Sequence, residues 1–215
     1  QLDASGVTSI RLDATPAGRP LYEKFGFRFQ FRVHRLAGVP RIAGAARAAG
    51  AARAAGAART AGAARTAGAA SSSSIEPFQW AHWDNLIRLD RHVCGTDRTK
   101  LLKKLLVERP AGAWIVSESG RLRGFLMSRP GSSAWQIGPL ISANESVGRQ
   151  LLVDALRRHR HLSVYVDVPQ DNLPAHAVAH AAGLTQTREF ARMCRGQEHR
   201  EQLSGLWAGS GPEKG

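Results

Sequence analysis

The stretch at residues 135–158, WQIGPLISANESVGRQLLVDALRR, decides the fold, because its apolar pattern changes from that of a strand to that of a helix. The apolar run around Ile137 is broken by Gly138 and Pro139, as happens where a strand ends. Further along, apolar residues recur at helical spacing and would share one face: Val147, Leu151, Leu152, Ala155 and Leu156. The stretch therefore predicts a strand, a short turn and a helix.

The start of the predicted helix offers a particular kind of chemistry. Asn144 is a suitable N-cap, and Gly148, which has no side chain, lets another group approach the first turn closely. The first amides of a helix lack intrahelical partners and point along the positive end of its dipole, so a phosphate fits there. On this stretch alone two interpretations stay open, a phosphate site and an ordinary connection between a strand and a helix.

Composition limits the partners and compartments that would suit the chain. A formal net charge of +13 invites a nucleic-acid interpretation, but the basic residues are scattered and few aromatic residues lie among them. Cys94 and Cys194 are far apart and outside any metal-ligand spacing, which argues against a zinc site and suits a reducing compartment. No apolar stretch approaches membrane-spanning length. We therefore predict a cytoplasmic protein without a membrane partner, and nucleic acid is a disfavoured partner.

Four segments differ in composition. Residues 1–36 indicate a strand, a short helix stopped by Gly26 and a second strand, too little to bury its own apolar face. Residues 37–74 repeat a six-residue Ala, Gly and Arg unit and end in serines, which is typical of a low-complexity linker. Residues 75–196 have the pattern of a whole domain, and residues 197–215 that of a flexible tail. Because residues 1–36 cannot bury their apolar faces alone, we expect them to be the C-terminal remnant of a first domain, and the initial Gln1 suits a fragment or a processed chain.

Periodicity within residues 75–196 predicts an alternation of helices and strands. Two amphipathic helices come first, the second beginning after Asp97 or Thr99. A hairpin turning at Ser119 and Gly120 follows, then the stretch at 135–158. Residues 162–168 form a dense β-branched run of the kind found in a buried central strand, and a short helix and a last strand complete the order. The fold class predicted is α/β, a mixed sheet flanked by helices.

Two places in the chain share one plan. LDATPAGRPLYEKFGF at residues 12–27 and VDVPQDNLPAHAVAHAAGL at residues 166–184 both show a strand ending near an Asp, a loop with Pro and a short helix. A Gly followed by Phe or Leu ends each of them. The first place lies in the predicted remnant and the second in the predicted whole domain, so the two regions look related.

These motifs together resemble the GNAT superfamily of acetyl-CoA-dependent N-acetyltransferases, in particular bacterial proteins with two such domains in tandem. LYEKFGF at residues 21–27 is similar to the family's Tyr-x-x-x-Gly-Phe motif, and RPGSSAWQIGPLIS followed by VDVPQDN looks like the second domain of the tandem proteins. The resemblance covers about residues 1–36 and 75–196. It implies a GNAT-like fold, acetyl-CoA as cofactor and an amine as acceptor.

The resemblance also implies which residues would bind acetyl-CoA. The family's pyrophosphate loop precedes a helix with a Leu-Leu pair, and aligning that pair on Leu151 and Leu152 places the loop's last glycine on Gly148. The loop's other glycines and its basic position are absent here, and Glu145 adds a negative charge beside a phosphate. Residues implied to contact the cofactor are those of the strand, the first helical turn and the next strand's exit: Ile137, Pro139, Leu140, Val147, Gly148, Arg149 and Asn172.

The implied catalytic residue is Tyr22. In the family the helix tyrosine often protonates the departing CoA thiolate, and Tyr22 matches that position, whereas the second region has Ala179 instead. The tyrosine and the degenerate phosphate loop thus belong to different regions. A half-buried structural aromatic is an equally open interpretation of Tyr22.

Several histidines and tryptophans are further candidates for function. His176 and His180 lie four apart on a predicted helix, a spacing that metal ligands use, but no third ligand accompanies them, so we predict surface histidines and no metal. His159 and His161 end a helix, where cations complement its dipole. The tryptophans of the predicted second domain suit its core or, alternatively, an acceptor pocket: Trp80, Trp83 and Trp114.

The function that this resemblance implies is acetyl transfer from acetyl-CoA to an amine of a small molecule or protein. The alternative is a non-catalytic GNAT-like binding or interaction module, which the missing glycines and Ala179 favour. A homo-oligomer stays open, and a basic nucleic-acid tether rests on net charge alone.

Overall fold

The computed structural model describes residues 7–42 and 74–212, which contain nine strands and five α-helices. The strands are β1 (Ser9–Ala14), β2 (Arg28–Gly38), β3 (Ile75–Pro77), β4 (Ala113–Glu118), β5 (Arg121–Pro130), β6 (Trp135–Ser142), β7 (Val164–Pro169), β8 (Thr185–Gly196) and β9 (Leu206–Ala208). The helices are α1 (Arg19–Lys24), α2 (Trp83–Cys94), α3 (Thr99–Glu108), α4 (Glu145–Arg158) and α5 (Leu173–Ala181).

The strands form one mixed sheet in the order β1-β8-β2-β7-β6-β5-β4-β3, and β9 pairs separately with β6. Neighbours are antiparallel except β6 and β7, which are parallel. Helices α4 and α5 pack on one face of the sheet, around Leu140 and Val166, whereas α2 and α3 pack on the other, around Phe125 and Ile141. The mixed sheet flanked by helices confirms the predicted fold class.

The deciding stretch has the predicted local structure. Strand β6 ends at Ser142, and the side chain of Asn144 accepts a hydrogen bond from the amide of Val147 at 3.0 Å, which begins α4. The apolar face predicted for this helix is buried in the core. A continuous apolar run followed within a few residues by apolar residues at helical spacing therefore specified both elements.

Residues 9–38 do not form a separate structure. Strand β2 lies between β7 and β8, and β8 lies between β1 and β2, so the two strand–helix–strand units are interleaved. We call β1, α1 and β2 the first unit, and β7, α5 and β8 the second unit. Val33 and Leu36 of β2 are buried, which shows that residues assigned from sequence to different domains share one core. Whether the first unit is the remnant of an earlier domain stays a prediction.

Two further predictions change in detail. The flexible tail expected at residues 197–215 is wrong for residues 205–211, which are buried and include β9. Strand β2 continues to Gly38, beyond the predicted boundary at residue 36. The predicted linker, residues 37–74, lies largely outside the described residues.

Candidate functional site

The candidate site lies where β6 and β7 diverge. The two strands pair in parallel over residues 135–137 and 164–166 and do not pair beyond them. Helix α4 starts at the end of β6, so its first turn lies at the open end of this gap. Strands that part beside a helix N-terminus are suited to hold an extended ligand with an anionic group.

The gap is filled by the chain's own C-terminal residues. Strand β9 pairs antiparallel with β6 at Leu140 and Ile141, and the amide of Gly209 donates to the carbonyl of Asp167 on β7 at 2.8 Å. Both strand edges inside the gap therefore already have backbone partners. We call residues 201–211 the closing segment.

Side chains from several elements hold the closing segment in place. Asn172 donates to the carbonyls of Leu203 and Leu206, at 3.1 and 2.9 Å, while its own oxygen caps α5. Arg129 donates to the carbonyl of Ser210 at 2.6 Å. Glu201 forms buried ion pairs with Arg11 at 2.7 Å and Arg192 at 3.1 Å. The segment is thus an integral part of the fold.

Two glycines of the candidate site make room for this segment. A Cβ atom added to Gly148 would overlap the Trp207 ring, and one added to Gly138 would overlap the carbonyl of Gly209. The sequence correctly predicted a close approach at Gly148, and the group that approaches in this structure is Trp207, which is fully buried.

In the first turn of α4, the amide and the basic side chain that could bind a phosphate already have partners. The amide of Val147 is bonded to Asn144, and Arg149 pairs with Glu145 at 2.8 Å on the exposed face of the helix. Because Glu145 lies at the N-terminus, its carboxylate satisfies the helix dipole there and repels another anion. Ile137, Pro139 and Leu140, which were also implied to contact the cofactor, are buried in β6.

A cavity of about 490 Å³ remains at the mouth of the gap. The ends of β6 and α2, the starts of α4 and α5 and the closing segment surround it. Its charged and ionisable lining side chains are of both signs: His92, Arg123, Glu145 and Asp171. The cavity is large enough for a small polar molecule and borders the first turn of α4.

Tyr22 lies elsewhere in the molecule. It is on α1, edge-on to the Phe27 ring with centroids 5.6 Å apart, and packs against a small cluster formed by Ala14, Ala191 and Met193. Gly148 belongs to the region packed around Trp207. The structure therefore does not bring the implied catalytic residue together with the implied cofactor residues in one cluster.

Comparison with known proteins identifies the family. The family model described as "Acetyltransferase (GNAT) domain" matches residues 86–208, more than half of the chain. The chain belongs to the GNAT acetyltransferase family. The matched residues include β9, so the closing strand lies within the GNAT domain.

Solved structures share the GNAT fold. A candidate acetyltransferase from Pyrococcus horikoshii is similar over 97% of this chain and 60% of its own, with a TM-score of 0.66 and 21% identity. A GCN5-related N-acetyltransferase from Sphaerobacter thermophilus is similar over 92% of this chain and 61% of its own, with a TM-score of 0.51 and 10% identity. The chain thus spans about three fifths of the length of these two proteins. The search of curated proteins found no match.

Histidines of the GNAT domain have structural partners. His176 stacks edge-on to His34 with centroids 5.3 Å apart, and burial, followed by the neighbouring His34, lowers the pKa of His176. His159 is buried against Trp135 with its Nδ1 2.7 Å from the carbonyl of Ala155 in α4, and burial lowers its pKa, so its role as a cation at the helix end stays a prediction. Within residues 7–42 and 74–212, no group of three or more His, Cys, Asp or Glu side chains is arranged to hold a metal ion.

Other candidate residues also lie away from the cavity. Trp83 and Trp114 pack against the core, Trp80 is exposed, and none of the three is among the described residues that line the cavity. Burial raises the pKa of the Cys94 thiol to about 12, so this cysteine stays protonated near neutral pH. No described helix has the length and apolar character needed to cross a membrane. The cytoplasmic location stays a prediction.

Sequence reasoning missed the closing segment altogether. Its signal was the apolar pair Leu206 and Trp207 among small and polar residues, which was outweighed by the surrounding glycines and serines. A three-residue strand is too short for an alternation pattern to identify.

Proposed function

We propose that this chain acts as a GNAT-like binding module and does not transfer acetyl groups while the closing segment lies between β6 and β7. The observation that carries the proposal is the closing segment between β6 and β7, with Trp207 lying on Gly148. An extended cofactor bound in the gap would have to displace a buried strand, its buried tryptophan and the hydrogen bonds that hold them. The module's own binding site would be the 490 Å³ cavity at the mouth of the gap.

N-acetyl transfer from acetyl-CoA to an amine is the second candidate function. Membership of the GNAT family favours it, and so does the position of the cavity beside the N-terminus of α4, where Asn144 and Glu145 line it. In this candidate function the closing segment leaves the gap before acetyl-CoA enters. The roles of Tyr22 as general acid and of Gly148 and Arg149 at the phosphate belong to this second candidate.

Calorimetric titration of acetyl-CoA into the whole chain distinguishes the two functions. We expect no binding at about 1 mM cofactor. The same titration is made with Trp207→Ala, which removes the ring from Gly148, and with Trp80→Ala, which removes an exposed tryptophan as the matched control. Thiol release from acetyl-CoA with a panel of primary amines is measured in parallel.

Binding at about 1 µM by the unsubstituted chain, with amine-dependent thiol release, would contradict the module and establish the enzyme. Binding by Trp207→Ala alone would show that the gap can hold the cofactor and that the closing segment excludes it. Absence of binding in all three proteins supports the module.

A further inference from the structure

The two interleaved units are related by a pseudo-twofold axis between β2 and β8. Asp13 corresponds to Asp167 and Gly26 to Gly183, and both glycines have φ near +80°. In each unit the other unit's last strand lies between the two strands. The shared plan recognised in the sequence therefore extends to the three-dimensional arrangement.

The strand registers repeat in detail. Ile10 of β1 pairs with Arg195 of β8, and the corresponding residues Val164 and Gly38 pair with each other. The pairing of β2 with β8 passes over one residue in each strand, Gln30 in β2 and its counterpart Thr187 in β8. Chance similarity of two strand–helix–strand units does not reproduce both register and bulges.

A buried ion pair repeats as well. Arg192 donates to both carboxylate oxygens of Asp13, at 2.5 and 3.0 Å, and the corresponding Arg35 donates to both oxygens of Asp167, each at 2.8 Å. All four side chains are mostly buried. The two units thus share backbone geometry and internal chemistry.

The symmetry fails on the outer side of the units. In the second unit, residues 164–166 pair with β6. Val178 and Ala182 of the same unit are only 6% and 4% exposed and belong to the core cluster that includes the apolar face of α4. In the first unit the corresponding residues of β1 have no outer strand among the described residues, and β1 ends the sheet. The counterparts of Val178 and Ala182 are Leu21 and Phe25, which are 55% and 60% exposed.

We call the outer edge of β1 at residues 10–12, together with Leu21 and Phe25, the open face. An unpaired strand edge beside exposed large apolar side chains is a surface that proteins normally cover. The face is continuous with the sheet that joins the two units, since β1 already pairs with β8 on its inner side.

We infer that the open face binds a strand followed by an amphipathic helix, of the same kind as β6 and α4, supplied by a further GNAT-like unit. The strand pairs in parallel with β1, and the helix covers Leu21 and Phe25, as β6 and α4 do for the second unit. A folded second copy of this chain does not supply the element, because its β6 is paired on one side with β5 and on the other with β7 and β9. The supplying unit is therefore one whose strand has a free edge. This inference is independent of whether the chain binds acetyl-CoA.

The test uses the whole chain and, as probe, a fluorescent peptide with the sequence of residues 135–158. Anisotropy measures its binding, and amide hydrogen exchange locates it. We expect saturable binding that slows exchange at residues 10–12. The double variant Leu21→Asp with Phe25→Asp should weaken binding by about ten-fold or more. The matched control, Leu173→Asp with Val107→Asp, places two charges on equally exposed apolar positions elsewhere and should bind normally.

Three results would overturn the inference. The first is no saturable binding up to about 1 mM peptide with folded protein, as judged by circular dichroism. The second is binding that both double variants retain, or that changes exchange at β7 instead of β1. The third is a dimer in sedimentation without peptide that the Leu21 and Phe25 variant dissociates, because the occupant would then be a second copy of the chain.

Discussion

The first and second units have the same internal geometry but different surroundings. Helix α5 packs under α4 and buries Val178 and Ala179, whereas no residue of α1 is fully buried. The helix residue Tyr22 in the first unit corresponds to Ala179 in the second. Local sequence and pairing within the sheet thus suffice to form each unit, but the burial of its helix depends on a neighbouring strand and helix.

The two units also hold different parts of the site that the resemblance implies. The first unit has the tyrosine and the Gly-Phe turn, while the strand-to-helix connection with Gly148 lies beside the second unit. In the second unit the gap next to that connection holds the closing segment. The contrast between the units therefore underlies both the proposed module and the inferred open face.

The largest expected effect tests the difference in burial. Val178→Asp places an unpaired charge in the core and should lower the free energy of unfolding by about 4 kcal/mol. Leu21→Asp at the corresponding position should change it by less than about 0.5 kcal/mol, because Leu21 is exposed. Urea denaturation followed by circular dichroism measures both values, with Leu173→Asp as an exposed control on α5. A large cost for Leu21→Asp would mean that the open face is covered in solution.

The next effect tests whether the repeated ion pairs are equivalent. Asp167→Asn leaves the charge of Arg35 buried without its carboxylate and should cost about 3 kcal/mol. Asp13→Asn should cost less, about 2 kcal/mol, because Glu201 also pairs with Arg192. The free energies of unfolding are measured near neutral pH in the same buffer.

A control restores the balance of charge. In Arg35→Met with Asp167→Leu, both partners become apolar, and most of the lost stability should return. If Asp13→Asn proved the more costly change, Glu201 would not compensate for the lost carboxylate, and the two ion pairs would differ in kind.

Sequence predicted those elements that local signals specify. The period change at residues 135–158, the cap at Asn144 and the left-handed glycines at 26 and 183 depend on a few neighbouring residues. The hairpin turning at Ser119 and Gly120 has the same local origin, and both residues have positive φ. Such features can be predicted from the sequence because they depend on the geometry of a few neighbouring residues.

Interleaving could not be read from the sequence in this way. The pairing of β2 with β7 and β8 joins residues more than a hundred positions apart, and an alternating pattern does not say which strand lies next to which. The candidate site shows the same limit. Gly148 indicated a close approach, but whether a phosphate or Trp207 approaches depends on the path of residues far along the chain.

The smallest expected effect tests whether the two units are also alike in the turns that follow α1 and α5. Gly26 and Gly183 end the two helices with φ of +80° and +81°, and an added Cβ would lie no closer than 3.9 and 3.8 Å to its nearest neighbour. Each Gly→Ala change should therefore cost only the backbone term of about 1 kcal/mol, equally in both units. Gly→Asn at either position should cost less, because asparagine adopts this conformation more readily than alanine. Thermal unfolding of the four variants measures the costs, and a clearly larger value for Gly183→Ala would show that the nearby Arg41 side chain constrains the second turn more than Arg195 constrains the first.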